Sequence, residues 1–594
     1  MATSLEKLAD NLAQCDPGKF REIKKIFNNI DIDLVTRKGI YPYEYTDSWG
    51  KLQDNCLPPE SEFYSTLTES HINEADYQHA LRVWNYFNFK TLGEYSDWYI
   101  KVDVMLLCDV FENFRDLCIN TYGLDPNYYY TAPGMSFDCM LRHTEVELEL
   151  LCDYDQILMI EAGIRGGLTQ VSMQYACANN KEVPEYDPSK PDSWIVYLDA
   201  TNLYGWAMSK DMPKGGFQWY NEDLSNEYIL KLLENTNDTS GVGYALEVHR
   251  VLKFDQSPWL EKYIRLNTNM RKNAMNDFER EFFKLMNNAV FGKTLENVRN
   301  RIRMMLVCNE KKCLKLINLN TFKDITIYSE NLVAIHLNDD LLKFDKPIYV
   351  GFSILDISKT LIYDFHYESM VKTYGDNIQL MYTDTDSLIY NIKSEDYYND
   401  LLNNPDLLQR MDTSNFSSDH PCYCIERKKL PGTFTDECKG VAIREFIALR
   451  AKSYAYNLAG DEKIIAKGIS GHVVKNHLSI ADHKKCLFWD SPMIDEQSAR
   501  SMAINQSVLF KSIGHTSSSN EYTPFRVNNS FRSYKHQMKT ISTVKLALNR
   551  SDDKRHVLDD QIHTLAHGHY RIEEDKELER VEAEMIAMME DGGY

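Results

Sequence analysis

The sequence predicts a mixed α/β (α+β) globular protein built from several structural units, on three observations. Two apolar runs, WIVYL at Trp194–Leu198 and IQLMYTDTDSLIYNI at Ile378–Ile392, read as strands that deliver aspartates to a polar tip. Ala274, Phe278, Phe282, Leu285 and Ala289 recur at the three-and-four spacing of one helical face, so a long amphipathic helix is expected over roughly Asn273–Val290. The chain has 594 residues, 43% hydrophobic and 26% charged, which supplies real cores and excludes disordered and collagen-like classes. No apolar run nears the ~18 residues of a membrane helix, and MATSLEKLADNLAQCD lacks a charged-then-apolar leader. A soluble, intracellular, non-secreted protein is therefore expected, the nucleus being compatible. Thirteen thinly spread cysteines read as reduced thiols.

Along the chain, residues 1–150 read as helix-rich, punctuated at YPYEY, LPPE and LDPN, with Trp98–Cys118 the clearest helix. A Gly-rich break follows at Ile164–Gly167. The polar, Pro-marked Asn179–Asp192 reads as a surface excursion before the first strand. Beyond Lys452 the pattern is mixed, and Asn505–Phe531 looks loop-rich. Arg571–Tyr594 holds nine acidic and three basic residues and looks like a solvated acidic helix. The net charge of −22 argues against a uniformly basic nucleic-acid binder. Two stretches nevertheless run positive: Arg271–Arg303 with eight basic and four acidic residues, and Glu426–Lys452 with seven and four. Phosphate-binding faces and ordinary solvated helices both fit that pattern.

The sharpest chemical signal is Tyr382–Ser387, YTDTDS. Asp384 and Asp386 at a hairpin tip suit a hard divalent cation, although an Asp-capped turn or the metal-holding pair of a glycosyltransferase would look alike. Asp199, at the exposed end of WIVYL, offers a distant second carboxylate. Phosphoryl transfer uses two metal ions roughly 3.5 to 4 Å apart, which two strand-borne aspartates can hold. Tyr204 follows five residues on. Within the long helix Arg280, Lys284, Asn288 and Phe291 share a face, an order suited to a triphosphate beneath a stacked base. Lys452 and Tyr454 fall on one side of a strand-like ALRAKSYAYNL.

Together and in this order these elements resemble the family B DNA polymerases. DATNLYG is similar to their motif A, KLMNNAVFG to motif B, YTDTDS to motif C and KSY to the KxY motif. The resemblance is narrower to the protein-primed branch of Polinton/Maverick-like transposons and related viruses. It extends through IRGG, FGKTLENV, GFSILDISK and DDKR. It implies a DNA-directed DNA polymerase that transfers nucleotides from dNTPs to a primer 3′-hydroxyl or a priming-protein hydroxyl, with palm, fingers and thumb. The implied metal ligands for two Mg²⁺ ions are Asp199 and Asp386, with Asp384 an accessory carboxylate. Tyr204 and Leu203 would meet the sugar, Tyr204 as the gate against a ribose 2′-hydroxyl. Lys284 would hold the triphosphate, Asn288 and Phe291 would frame the nascent pair, and Arg271 or Lys272 would supply a second phosphate contact. Lys452 and Tyr454 would hold the primer, and Arg165, Gly166 and Gly167 the template. Template-primer DNA, dNTPs and a terminal priming protein are the implied partners of a monomer.

The implied units are 1–150 (exonuclease-domain remnant), 160–264 (palm with motif A), 265–305 (fingers), 306–455 (palm with motif C and KxY), 456–570 (thumb and C-terminal region) and the acidic 571–594. Only Tyr99 and Asp103, a YxxxD pair, match a 3′–5′ exonuclease, so the chain reads as N-terminally truncated. YALEV at Tyr244–Val248 runs directly into HRVLKF, where relatives of this branch carry an insert. Asn202, Gly205, Ala289 and Phe291 depart mildly from the family pattern. A catalytically inactive DNA-binding remnant is the alternative reading. Cys422, Cys424 and Cys438 near His420 lack metal-site spacing, Cys308 and Cys313 have no second pair, and His563, His567 and His569 in a polar C-terminal segment read as a surface cluster.

Overall fold

The computed structural model describes residues 4–27, 32–220, 225, 249–339, 341–458, 460–488, 525–534, 537–552 and 554–572. The fold is mixed helix and sheet, as expected, and divides into two compact, discontinuous units.

One unit comprises 39–101, 167–203 and 361–594. Among its described residues lies a ten-stranded sheet whose main path runs β1 (Thr169–Val171), β9 (Ile378–Asp384), β10 (Ser387–Ile392), β3 (Trp194–Ala200), β13 (Ile443–Arg450), β14 (Ser453–Leu458) and β15 (Asp461–Ala466). Three short strands attach beside it: β2 (Tyr175–Cys177) on β13, β12 (Phe434–Asp436) on β3, and β11 (Met411–Asp412) on β12. Every neighbouring pair is antiparallel except β11 with β12. The central strands are buried on both faces, so they read as continuous apolar runs rather than alternating ones. On one face Leu198 and Leu388 pair; on the other Ile195, Tyr382, Ile389, Phe446 and Tyr454 form one apolar cluster. A long hairpin, β16 (Phe525–Tyr534) with β17 (Gln537–Leu546), follows. Thus the FRVNNSF end of the expected loop is a strand, because Phe525, Asn528 and Asn529 are buried within it. A final pair, β18 (Arg555–Val557) with β19 (Thr564–Ala566), binds back just past β1 through Thr564 N–H to Ser172 O, 2.9 Å.

The other unit comprises 1–38, 102–166 and 204–360. Its main core gathers the helices Ala132–Thr144, Tyr154–Gly163, Glu261–Lys272 and Asp277–Thr294 around Tyr263, Phe282, Phe283 and Met286. The amphipathic helix starts at Asp277 rather than near 273, because Asn276 is a side-chain N-cap accepting from Glu279 N–H. A hairpin of β4 (Met212–Tyr220) and β5 (Val251–Ser257) flanks it. A small sheet of β6 (Arg303–Val307), β8 (Leu332–Leu337) and β7 (Phe322–Ser329) has its own core with the helix Glu310–Ile317. The helix expected over Trp98–Cys118 spans Leu92–Tyr122, its residues up to Lys101 belonging to the sheet-bearing unit. The YALEV junction, the acidic tail beyond 572 and the loop-rich stretch before 525 lie outside the described residues.

Candidate active site

Antiparallel register gathers the acidic motifs. Asp199 on β3 pairs with Ser387 on β10, Ser387 pairs with Asp384 on β9, and Asp384 pairs with Thr169 on β1. On the other side Asp199 pairs with Thr435 of β12. Directly opposed residues share a face, so Thr169, Asp384, Ser387, Asp199 and Thr435 form one polar row across five strands about 4.8 Å apart. Asp386 sits in the two-residue turn between β9 and β10, and Ala200 N–H donates to its carbonyl at 2.7 Å. With standard bond lengths that contact holds the Cα atoms of Asp199 and Asp386 within about 7.5 Å.

The Asp384 carboxylate is already engaged. Lys452 Nζ lies 2.9 Å from Oδ1, Thr169 Oγ1 donates to Oδ1 at 2.8 Å, and Tyr382 Oη to Oδ2 at 3.4 Å. Lys452 reaches it from the β13–β14 turn, with φ of 62° and its backbone N–H on Tyr382 Oη at 3.1 Å. The strand alternation expected to place Lys452 beside Tyr454 therefore does not operate, since Lys452 is a turn residue. Tyr454 arrives through β14: its ring lies 4.8 Å from that of Tyr382, and its Oη 3.1 Å from Tyr197 Oη. Burial pushes all three phenols above their ordinary pKa, so they stay neutral hydrogen-bonding groups.

Sequence reasoning missed Glu437. Its N–H donates to Tyr197 O at 2.9 Å, continuing the β12–β3 register two residues past Thr435 and putting Glu437 on the face of Asp199. Lost solvation first, then the negative charge of Asp386, hold its carboxyl above the usual range. The signal in the sequence was slight: Thr435 and Glu437 alternate with buried Phe434 and Asp436. Asp436 shapes the turn, accepting from Tyr398 Oη at 2.7 Å, Cys438 N–H at 2.7 Å and Gly440 N–H at 3.3 Å.

Among the described residues no three His, Cys, Asp or Glu side chains form a ready-made metal cage. An all-oxygen set of strand-end aspartates still fits Mg²⁺, which keeps waters and binds through one or two carboxylates plus substrate phosphates.

Within the other unit the helix Asp277–Thr294 exposes Lys284 and Asn288 one turn apart, with Phe291 half-buried beyond them. Tyr204 stacks on Phe291, centroids 4.4 Å apart and planes 25° from parallel. Arg280, on the same face, is ion-paired with Asp277 at the surface. The adjacent Asn287 is structural. It is buried and accepts at 2.8 Å from Asn267, which accepts from Tyr122 Oη at 2.6 Å, tying this helix to Glu261–Lys272. Arg271 is partly buried, its pKa lowered by desolvation, and it senses Glu281 and Arg280 of the same helix; Lys272 is exposed. Arg165 and Gly166 are exposed. Leu203, in the sheet-bearing unit, has a buried side chain. Tyr99 is hydrogen-bonded to Tyr43 Oη, and Asp103 lies one turn along the same helix with Oδ1 buried.

No family model and no curated protein matches the chain. Among solved structures it is similar to phi29 DNA polymerase complexed with primer-template DNA and incoming nucleotide substrates, at 12% identity and a TM-score of 0.44, covering 78% of this chain and 74% of that one. The phi29 polymerase complex with primer-template DNA alone gives 15% identity and 0.40 over 65% and 67%. The family B DNA polymerase from the hyperthermophilic archaeon Pyrobaculum calidifontis gives 13% identity and 0.30 over 85% and 60%.

Proposed function

We propose that this chain is a DNA-directed DNA polymerase of the family B, protein-primed kind, extending a primer 3′-hydroxyl or a priming-protein hydroxyl with dNTPs in transposon- or virus-type replication. The observation that carries the reading is the register that puts Asp199 of DATNLYG and the DTD turn of YTDTDS on adjacent strands, with Asp386 backbone-bonded to Ala200. In a glycosyltransferase neither KLMNNAVFG nor the lysine on Asp384 has a role.

Asp199 and Asp386 would hold the two Mg²⁺ ions, which when bound would stabilise the negative charge on the attacking and leaving oxygens. The remaining work belongs to protein groups. Lys284 holds the triphosphate as a point charge, assisted by Arg271 or Lys272. Tyr204, braced by Phe291, walls off the ribose 2′ position, and Asn288 borders the nascent pair. Lys452 and Tyr454 lie beside Asp384, where the primer end would be held. Arg165, Gly166 and Gly167 border the template path, and Tyr99 and Asp103 remain from an exonuclease domain. The linear units given above from 1–150 to 571–594 are proposed to correspond to exonuclease remnant, palm, fingers, palm, thumb and tail.

Primer extension by the purified chain with Mg²⁺ and four dNTPs tests the reading. Asp199→Asn and Asp386→Asn should each lower kcat at least about 10³-fold, since each removes an anionic ligand from a two-metal site. No extension by the unmodified chain would favour the catalytically inactive remnant, and extension that survives both substitutions would refute Asp199 and Asp386 as the metal ligands.

A further inference from the structure

The turn between β9 and β10 is unusual in its residue. A two-residue hairpin with φ positive at only its first central position ordinarily takes glycine there. Here that position is Thr385, a β-branched residue at φ 61°, where L side chains are strained. Something outside the turn must hold it, and three contacts from residues 167–169 do so. Leu168 O accepts from Thr385 N–H at 2.8 Å, and Thr169 Oγ1 donates to Asp384 at 2.8 Å. The third is steric: a Cβ on Gly167 would lie 2.6 Å from Thr385 Cγ2, 2.7 Å from Oγ1 and 2.9 Å from Cβ. Gly167 does not have positive φ, so its backbone would accept alanine; the three atoms nearest to the added Cβ all belong to the Thr385 side chain. Its neighbour Gly166 has open space around the same position.

We infer that Gly167 and Thr385 are a positioning pair, in which the bare Cα of Gly167 seats the strained Thr385 and so fixes the turn that aims Asp384 and Asp386. The pair acts on catalysis through the two aspartates; that consequence rests on the polymerase reading, while the contact itself does not. β1 is in turn clamped from behind. Arg555 of the DDKR segment donates to Gln170 Oε1 at 2.9 Å, to Thr564 Oγ1 at 3.0 Å and to Thr564 O at 2.8 Å, spending its guanidinium on protein rather than phosphate.

The test compares Gly167→Ala, Gly167→Ala with Thr385→Ala, and Gly167→Ala with Thr385→Gly. Hydrogen exchange of the peptide covering 382–388 is the deciding readout, with Mn²⁺ binding by calorimetry and primer extension beside it. Gly167→Ala should speed exchange at the turn at least 10-fold and weaken Mn²⁺ binding and kcat together, leaving the KM for dNTPs unchanged. Thr385→Gly removes all three close atoms and should restore exchange and Mn²⁺ affinity in the double variant. Thr385→Ala leaves Cβ at 2.9 Å and should restore them only in part. Gly166→Ala should leave turn exchange as in the unmodified chain. If Gly167→Ala fails to fold, recovery of the fold by Thr385→Gly supports the pair and its absence overturns it. Unchanged exchange in Gly167→Ala, or a defect that Thr385→Gly does not repair, overturns it. An unmodified chain that extends no primer yet shows the exchange pattern would sink the polymerase reading and leave the positioning pair standing.

Discussion

Asp436 is buried in the turn that carries Glu437, and its pKa stands at about 6 against an ordinary 3.8. Burial raises it; the donors Tyr398 Oη, Cys438 N–H and Gly440 N–H restrain the rise. The folded chain therefore holds the proton more tightly than the unfolded one. Stability from this group is greatest when both states are protonated, falls as pH rises through the window from about 4 to about 6, and is flat above it. With those two values the penalty is about 1.6 kcal/mol at pH 5 and about 3 kcal/mol at pH 7.5, a change of about 1.4 kcal/mol. Asp436→Asn keeps the shape and removes the charge, so its unfolding free energy relative to the unmodified chain should improve by about 1.4 kcal/mol between pH 5 and pH 7.5. Any pH-independent cost of the new amide cancels in that double difference. Urea unfolding of both proteins at the two pH values, followed by tryptophan fluorescence, measures it. A constant offset between the two chains, or a change of opposite sign, would refute the assignment of a raised pKa to Asp436.

Two further outcomes test the nucleotide face. Tyr204→Val should raise the ratio of ribonucleotide to deoxynucleotide kcat/KM by about 10-fold or more, read in single-nucleotide incorporation, because it opens the 2′ position. An equal loss of both substrates would make Tyr204 only the aromatic partner of Phe291. Lys284→Ala should raise the KM of all four dNTPs alike, by about 10-fold, because a point charge on a triphosphate reads no base. A defect confined to one base would contradict that role.

The parts of the fold legible in the sequence were those where local pattern and tertiary packing agree. WIVYL and the DTD hairpin are apolar on both faces and bounded by polar ends, so strand character followed directly, and β3 runs to Ala200 with Asp199 inside it. The amphipathic helix was legible in its apolar stripe but misplaced at its start, since stripe residues do not mark a cap and Asn276 does. Lys452 was misread because its neighbours are strand-like and nothing local announces a lysine at φ 62°; Lys452 N–H on Tyr382 and Nζ on Asp384, contacts across 70 and 68 residues, hold it there. Glu437 was invisible for the same reason. Its significance comes from pairing with a strand more than 200 residues earlier, which periodicity does not encode. Gly167 was legible as a motif residue, but the reason for glycine lies in the side chain of Thr385.

The electrostatics divide the acidic residues of this sheet edge in a way the motifs alone do not. Asp199, Asp384 and Asp386 crowd one end of three adjacent strands, where like charges at such spacing destabilise each other. Asp384 escapes that repulsion by pairing with Lys452, itself held at φ 62° by the Tyr382 hydroxyl, so this carboxylate and its ammonium enter the site as a neutral unit. Glu437 differs from it: lost solvation first, and then the charge of Asp386, raise its carboxyl above the ordinary pKa. Drawing Asp384 in as a metal ligand would first require breaking a 2.9 Å ion pair and a 2.8 Å hydrogen bond on the same oxygen. That cost is the physical ground for assigning Asp384 the accessory role and for expecting substitutions of Lys452 to act through Asp384 as well as through the primer.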